Sequence, residues 1–96
     1  MAASNGRTAT LTIRGPLVRG ELPGLLERTC ALLEGERPEL LRCELVEVSA
    51  DAVAVDALAR LALAARRRGC QVRLCGACAE LSSLVAFMGL ADVLKT

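Results

Sequence analysis

Residues 40–76 place a helical pattern between two strand patterns, and this order restricts the fold more than any other feature of the chain. LLRCELVEVS, residues 40–49, is rich in Leu and Val and too short for a long helix, so it predicts a buried strand. Apolar residues then recur every three or four positions over 52–68, which predicts a helix that ends near Gly69. CQVRLCG, residues 70–76, alternates as a strand does. A strand, a helix and a strand in this order favour parallel pairing through a right-handed crossover.

The flanking segments continue this alternation. TATLTIRG predicts a strand with one exposed face near a sheet edge, antiparallel to the others, and Leu17–Val18 allow a short partner strand. A helix is expected over 22–34 with Gly35 as its C-cap, and another over 78–88, followed by a further turn in LADVLK.

These patterns predict one α/β domain over residues 8–96, after a flexible N-terminus at 1–7. Its sheet should have four to five strands, mostly parallel with an antiparallel edge, and three to four helices should pack on it.

Composition narrows the function classes. Hydrophobic residues make up 53% of the chain and Phe87 is its sole aromatic, so the core must be aliphatic. A net charge of +1 without base-stacking aromatics argues against nucleic-acid binding. No apolar run approaches the roughly 18 residues of a membrane span, and MAASNGRTAT lacks a signal core, so a cytoplasmic protein is expected. Histidine is absent, which removes the usual general base and metal ligand; we expect neither an enzyme nor a metal or cofactor site.

Two acids mark the start of the 52–68 helix. Asp51 is suited to be its N-cap, because a carboxylate there accepts exposed N–H groups of the first turn. Asp56, Arg60, Leu63 and Arg67 share the outward face by their spacing. That face is either a solvated one with an Asp56–Arg60 pair or a partner surface, and an outward leucine favours the second.

The five cysteines provide a further candidate site. Cys75 and Cys78 bracket a strand-to-helix turn, as in thiol redox sites, whereas the alternative is that cysteine serves as a small core residue. Cys70 would complete three zinc ligands, but no fourth is at hand. In a chain without an export signal we expect reduced thiols.

Several motifs, in order, resemble the STAS domain, the family of bacterial anti-sigma factor antagonists and of the cytoplasmic tails of anion transporters. The first is Gly15 in TIRGPL, and the second is the strand RCELVEV, in which Glu44 stands where the family tends to have Asp. A helix that ends at Gly69 before CQVRLCG and the closing pair Gly89-Leu90 follow. The resemblance covers about Thr8 to Leu94 and is nearest to short stand-alone actinobacterial members.

The resemblance implies an Asp-Ser-x-Gly motif at the head of the 52–68 helix. Asp51 matches the Asp of this motif better than Asp56 does. A helix that starts after Asp51 and ends at Gly69 is the longer of the two, and the separation between Glu44 and Asp51 is closer to that in the family. The phosphorylatable serine then falls on Ala52 and the glycine on Ala54, so no phosphorylation is expected there. Ser49 is a displaced acceptor only in a minor alternative.

The resemblance therefore implies a non-enzymatic interaction module whose partner is a kinase-like anti-sigma factor. The partner would dock on the 49–53 loop and the outer face of helix 52–68; the candidate contacts are Ser49, Asp51, Ala52, Val53, Asp56, Arg60 and Leu63. One alternative is an accessory subunit that braces the ATPase of a phospholipid-transport ABC system. Another is a thiol redox module built on Cys75 and Cys78.

Overall fold

The structure, a computed structural model, describes residues 7–87 and the backbone of residues 94–95. Its elements, in chain order, are β1 (Thr8–Arg14), a short 3-10 turn (Arg19–Glu21), α1 (Leu22–Glu36), β2 (Leu40–Val46), α2 (Ala52–Arg67), β3 (Gln71–Cys75), α3 (Ala79–Phe87) and β4 (Leu94–Lys95). The expected flexible N-terminus, apart from Arg7, lies outside the described residues, as do Met88 and the Gly89-Leu90 pair.

The strands form a parallel sheet in the order β1-β2-β3-β4. The predicted antiparallel edge is wrong: β1 does lie at an edge, but it runs parallel to β2, with Thr8 opposite Leu40. The reason is that α1 carries the chain back across the sheet before β2 begins, and such a crossover aligns two strands in the same direction. Leu17–Val18 form no strand and lead into the 3-10 turn instead.

The strand count also differs from the expectation. Within the described residues, three strands of five to seven residues make up most of the sheet, and Leu94–Lys95 add only a two-residue pairing along β3, so four to five full strands are not confirmed. That pairing also replaces part of the helical turn expected in LADVLK, whose other residues are not described.

One face of the sheet carries the core. Alternate residues of β1, β2 and β3 are buried, among them Ile13, Leu41 and Val72. The inner side of α2 packs on them with Leu58 and Leu61, which have no exposed surface. The core is aliphatic, as the composition predicted.

The end of α1 corrects one prediction. Gly35 does not end this helix; it lies inside it, and the C-cap is Arg37, whose φ of 47° is left-handed. The Arg37 N–H donates to the Leu33 carbonyl at 3.0 Å. Pro38 follows, and because proline lacks an N–H it does not continue the helix.

Two glycines allow backbones to meet near the start of α2. The Gly15 N–H donates to the Val46 carbonyl at 2.8 Å, and a Cβ on Gly15 would overlap the Glu47 carbonyl. Gly76 has a φ of +83°, and a Cβ there would lie 2.6 Å from the Leu45 carbonyl oxygen. The ends of β1 and β3 thus fix the position of the loop that leads from β2 into α2.

Candidate functional site

Asp51 forms the N-cap of α2, as predicted. Its backbone is extended, and its Oδ1 accepts a hydrogen bond from the Ala54 N–H at 2.8 Å. Its own N–H donates to the Ser49 carbonyl at 3.0 Å, which closes the loop before the helix. One carboxylate oxygen therefore satisfies the first turn, while the side chain remains exposed at the helix start.

An open apolar groove lies between the first turns of α2 and the helix α3. It has a volume of about 490 Å³, and its lining residues are Ala50, Asp51, Ala52, Val55, Asp56, Ala59 and Leu84. We call it the α2–α3 groove. Its floor is aliphatic, and its two carboxylates belong to Asp51 and Asp56, both of which accept hydrogen bonds from other groups.

A second depression continues the groove along α3. It has a volume of about 570 Å³, shares Ala50 and Leu84 with the groove and extends to Phe87. The Phe87 side chain is 86% exposed, which is unusual for the only aromatic residue of a chain. The groove and this depression together form a larger apolar surface than scattered single residues would.

Asp56 holds two arginines beside the groove. Its carboxylate accepts from Arg60 Nε at 2.9 Å, as the spacing predicted, and also from Arg19 at 2.9 Å. The hydrogen bond from Arg60, together with that from Arg19, lowers the pKa of Asp56. The Arg19 contact was not predicted, because it joins α2 to the 3-10 turn across 37 positions of sequence.

The structure brings three of the seven predicted contact residues together. Asp51, Ala52 and Asp56 line the groove. Arg60 reaches the same place through its bond to Asp56.

The other three lie apart. Leu63 is 51% exposed, farther along α2 on the outward face. Ser49 is exposed in the loop, and Val53 is half-buried against the core rather than open to a partner.

Sequence reasoning missed most of the groove's apolar lining. Ala50 and Ala59 were not named as contacts, nor were Val55 and Leu84. Both are only half-buried, since they lie at the border between core and surface. The available signal was the helical spacing of Ala52, Val55 and Ala59, which puts three small apolar residues on one flank of α2.

The five thiols differ in their exposure to solvent. All five cysteines are free, Cys78 is exposed and Cys75 is half-buried. Cys43 is fully buried, and burial, with smaller effects from Cys70 and Cys75, raises its pKa to about 12. No group of three potential metal ligands occurs among residues 7–87. Cys43 and Cys70 are thus core residues.

The arginines at the end of α2 divide into two kinds. Arg66 and Arg67 lie exposed in the last turn. Arg68 donates to Glu34 at 2.7 Å and to the Ala64 carbonyl at 3.0 Å, so it links α2 to α1.

The described helices include none with the length and hydropathy needed to span a membrane.

Comparison with known proteins agrees with this fold. The STAS domain family model matches residues 1–96. No curated protein matches the chain. Among solved structures, a sulfate transporter family protein from Wolinella succinogenes superimposes with a TM-score of 0.62 at 18% identity, over 91% of this chain and 75% of that chain. At that identity the superposition supports the fold alone, whereas the family match spans the whole sequence. The expected resemblance is confirmed: the chain belongs to the STAS domain family.

Proposed function

We propose that this chain is a non-enzymatic, cytoplasmic interaction module of the anti-sigma antagonist type, and that it docks a kinase-like anti-sigma factor. The partner contacts the 49–53 loop, the outer face of α2 and the α2–α3 groove. Displacement of the anti-sigma factor then releases a sigma factor for transcription.

The groove is the observation that carries this proposal. It is an apolar depression of about 490 Å³ at the position where the family resemblance puts partner contacts. Exposed Phe87 extends the apolar surface along α3, and Leu63 is exposed farther along α2, while Asp56 and Arg60 supply a charged border. An apolar centre with a polar rim is the usual composition of a protein interface.

Ala52 supplies the regulatory part of the proposal. It is the first residue of α2, is exposed and lines the groove. A phosphate there would add about two negative charges beside the apolar floor and expel a partner. Alanine offers no oxygen for that modification, so docking on this surface is constitutive with respect to this position.

The same lack of a hydroxyl favours one second candidate function. An accessory subunit that braces a transport ATPase needs a permanent contact and no phosphorylation switch. Such a partner would use the same groove, so the two functions differ in the identity of the partner and share one binding site.

The test is to identify the partner and then to break the surface. Crosslinked capture from the source cells, followed by mass spectrometry, should recover an anti-sigma kinase homologue; recovery of an ABC ATPase would favour the second function. The outer face of α2 can then be probed with the double substitution Asp56→Ala and Leu63→Asp, which alters one half-exposed and one exposed side chain. Unchanged binding of the captured partner to that variant would exclude the outer face of α2 as part of the interface.

A further inference from the structure

The face of the sheet opposite the helices is open. Strands β1, β2 and β3 follow one another in space, and right-handed crossovers in one direction place α1 and α2 on the same side. On the other side Thr10, Arg42 and Arg73 are exposed. Parallel sheets are ordinarily covered on both faces, so a bare face of this kind is unusual and points to an occupant.

The charges on this open face have one predominant sign. Its positions on β1, β2 and β3 are Thr8, Thr10, Thr12, Arg14, Leu40, Arg42, Glu44, Val46, Gln71, Arg73 and Cys75. Three of these residues are arginines and a single one is acidic. The chain as a whole has a net charge of only +1, so this face is more basic than the rest of the molecule.

The basic residues are also aligned across the strands. Arg42 on β2 lies opposite Arg73 on β3, and neighbouring strands are about 4.8 Å apart. Thr10 continues the row on β1, and the backbone of Lys95 continues it on β4. Like charges directly opposite each other destabilise a sheet, so this row weakens the free protein unless an anion lies over it.

The described residues neutralise this row only in part. Glu44 lies 3.6 Å from Arg42, and both side chains are about half exposed. Arg73 has no ion pair within residues 7–87. As far as the described residues are concerned, the Arg73 guanidinium therefore keeps its hydrogen-bonding fork available to a ligand.

We propose that this face, the Arg42–Arg73 row with Thr10, binds an acidic segment of a protein partner. Planar guanidinium groups pair with carboxylates through two parallel hydrogen bonds, and the threonine hydroxyl adds a further donor. A second copy of the chain does not fit, because it would bring the same positive charges together. A lipid surface fits less well, since the large exposed apolar residues among those described, Val18, Leu63 and Phe87, all lie outside the strands.

This surface is independent of the α2–α3 groove. The groove lies between helices that cover the buried face of the sheet, whereas the Arg42–Arg73 row lies on the opposite face. One partner can thus occupy the groove while an acidic segment occupies the sheet.

The probe for this proposal is poly-L-glutamate at low ionic strength, titrated into the full chain by calorimetry. The double substitution Arg42→Gln and Arg73→Gln should weaken binding by about tenfold, because it removes two charge-assisted contacts. The matched control, Arg28→Gln with Arg66→Gln, removes the same charge from exposed helix positions and should change binding less than about twofold. Melting temperatures no lower than that of the wild type would show that both variants are folded.

Three outcomes would overturn the proposal: no binding of poly-L-glutamate, an equal loss in both variants, or chemical-shift changes confined to the helices in an amide spectrum. A parallel experiment measures co-sedimentation of the protein with phosphatidylserine vesicles. Vesicle binding that depends on Arg42 and Arg73, in the absence of binding to poly-L-glutamate, would assign the face to a membrane instead. Shift changes along β2 and β3 that disappear in the double variant would support the acidic partner.

Discussion

Asp51→Ala should destabilise the protein through one identified hydrogen bond. Asp51 Oδ1 accepts from the Ala54 N–H at 2.8 Å, and that N–H is among the first-turn groups with no partner inside the helix. Loss of an N-cap of this kind costs about 1 kcal/mol, within a range of roughly 0.5–2 kcal/mol. In a domain of this size such a loss lowers Tm by about 4–8 °C per kcal/mol.

The matched control is Asp51→Asn, which keeps an acceptor oxygen at the same position but removes the charge. It should lose only the interaction with the helix dipole, about 0.3–1 kcal/mol at an exposed site. Thermal unfolding at neutral pH, followed by circular dichroism, measures the Tm of both variants. A Tm for Asp51→Ala equal to that of the wild type, or an equal loss in the two variants, would refute the capping account. Because Asn keeps the cap, weaker partner binding by Asp51→Asn would report a role of the charge in docking.

Three further predictions follow from the fold. Burial raises the Cys43 pKa from 9.0 to about 12, so as the pH rises the unfolded chain loses the Cys43 proton at a lower pH than the folded protein does. The free energy of unfolding should therefore fall above pH 9.0 by up to about 1.4 kcal/mol per pH unit. Urea unfolding from pH 8 to 10.5 measures this slope, and the slope should shrink in Cys43→Ala. Arg19→Gln should raise the pKa of Asp56 toward its ordinary 3.8, because one of the two hydrogen bonds that favour the carboxylate is lost. Carboxyl NMR titration measures this pKa. An unchanged pKa would contradict the ion pairing of Asp56 with Arg19. The lowered pKa stabilises the fold above pH 3.8, and this contribution is lost as the pH falls through the folded-state value. Gly15→Ala should cost about 1–3 kcal/mol because its Cβ would overlap a loop carbonyl, whereas Gly20→Ala, with open space around it, should be near neutral in the same denaturation assay.

Local patterns in the sequence predicted the local structure well. The period of 52–68 gave a helix that begins at Ala52, and the acid before it became the N-cap. The alternation in β1 predicted a strand with one exposed face, which the structure has, and Asp56 paired with Arg60 at the expected spacing. Each of these depends on neighbours within one turn or one strand, and such interactions are encoded in short segments.

The failures concern features that depend on distant residues. The direction of β1 follows from the crossover through α1 and not from the pattern of β1 itself. Gly35 has the residue type of a C-cap, yet the helix continues to Glu36 and ends at Arg37, ahead of a proline.

The groove was missed for a related reason. It arises only when α3 places Leu84 beside Ala52 and Ala59. Val55 both packs against the core and lines the groove, so periodicity alone does not separate a core position from a groove position.

The measurement that tests the proposed docking most directly is the Kd of the captured partner for Ala52→Asp. This substitution puts one negative charge into the α2–α3 groove, and at the first position of a helix an acid stabilises the fold by about 0.3–1 kcal/mol. The matched control is Ala31→Asp, on an exposed position of α1 away from the groove. We expect Ala52→Asp to raise Kd by about tenfold or more without a loss of stability, and Ala31→Asp to leave Kd within about twofold. Equal Kd values for Ala52→Asp and the wild type would contradict docking at this surface.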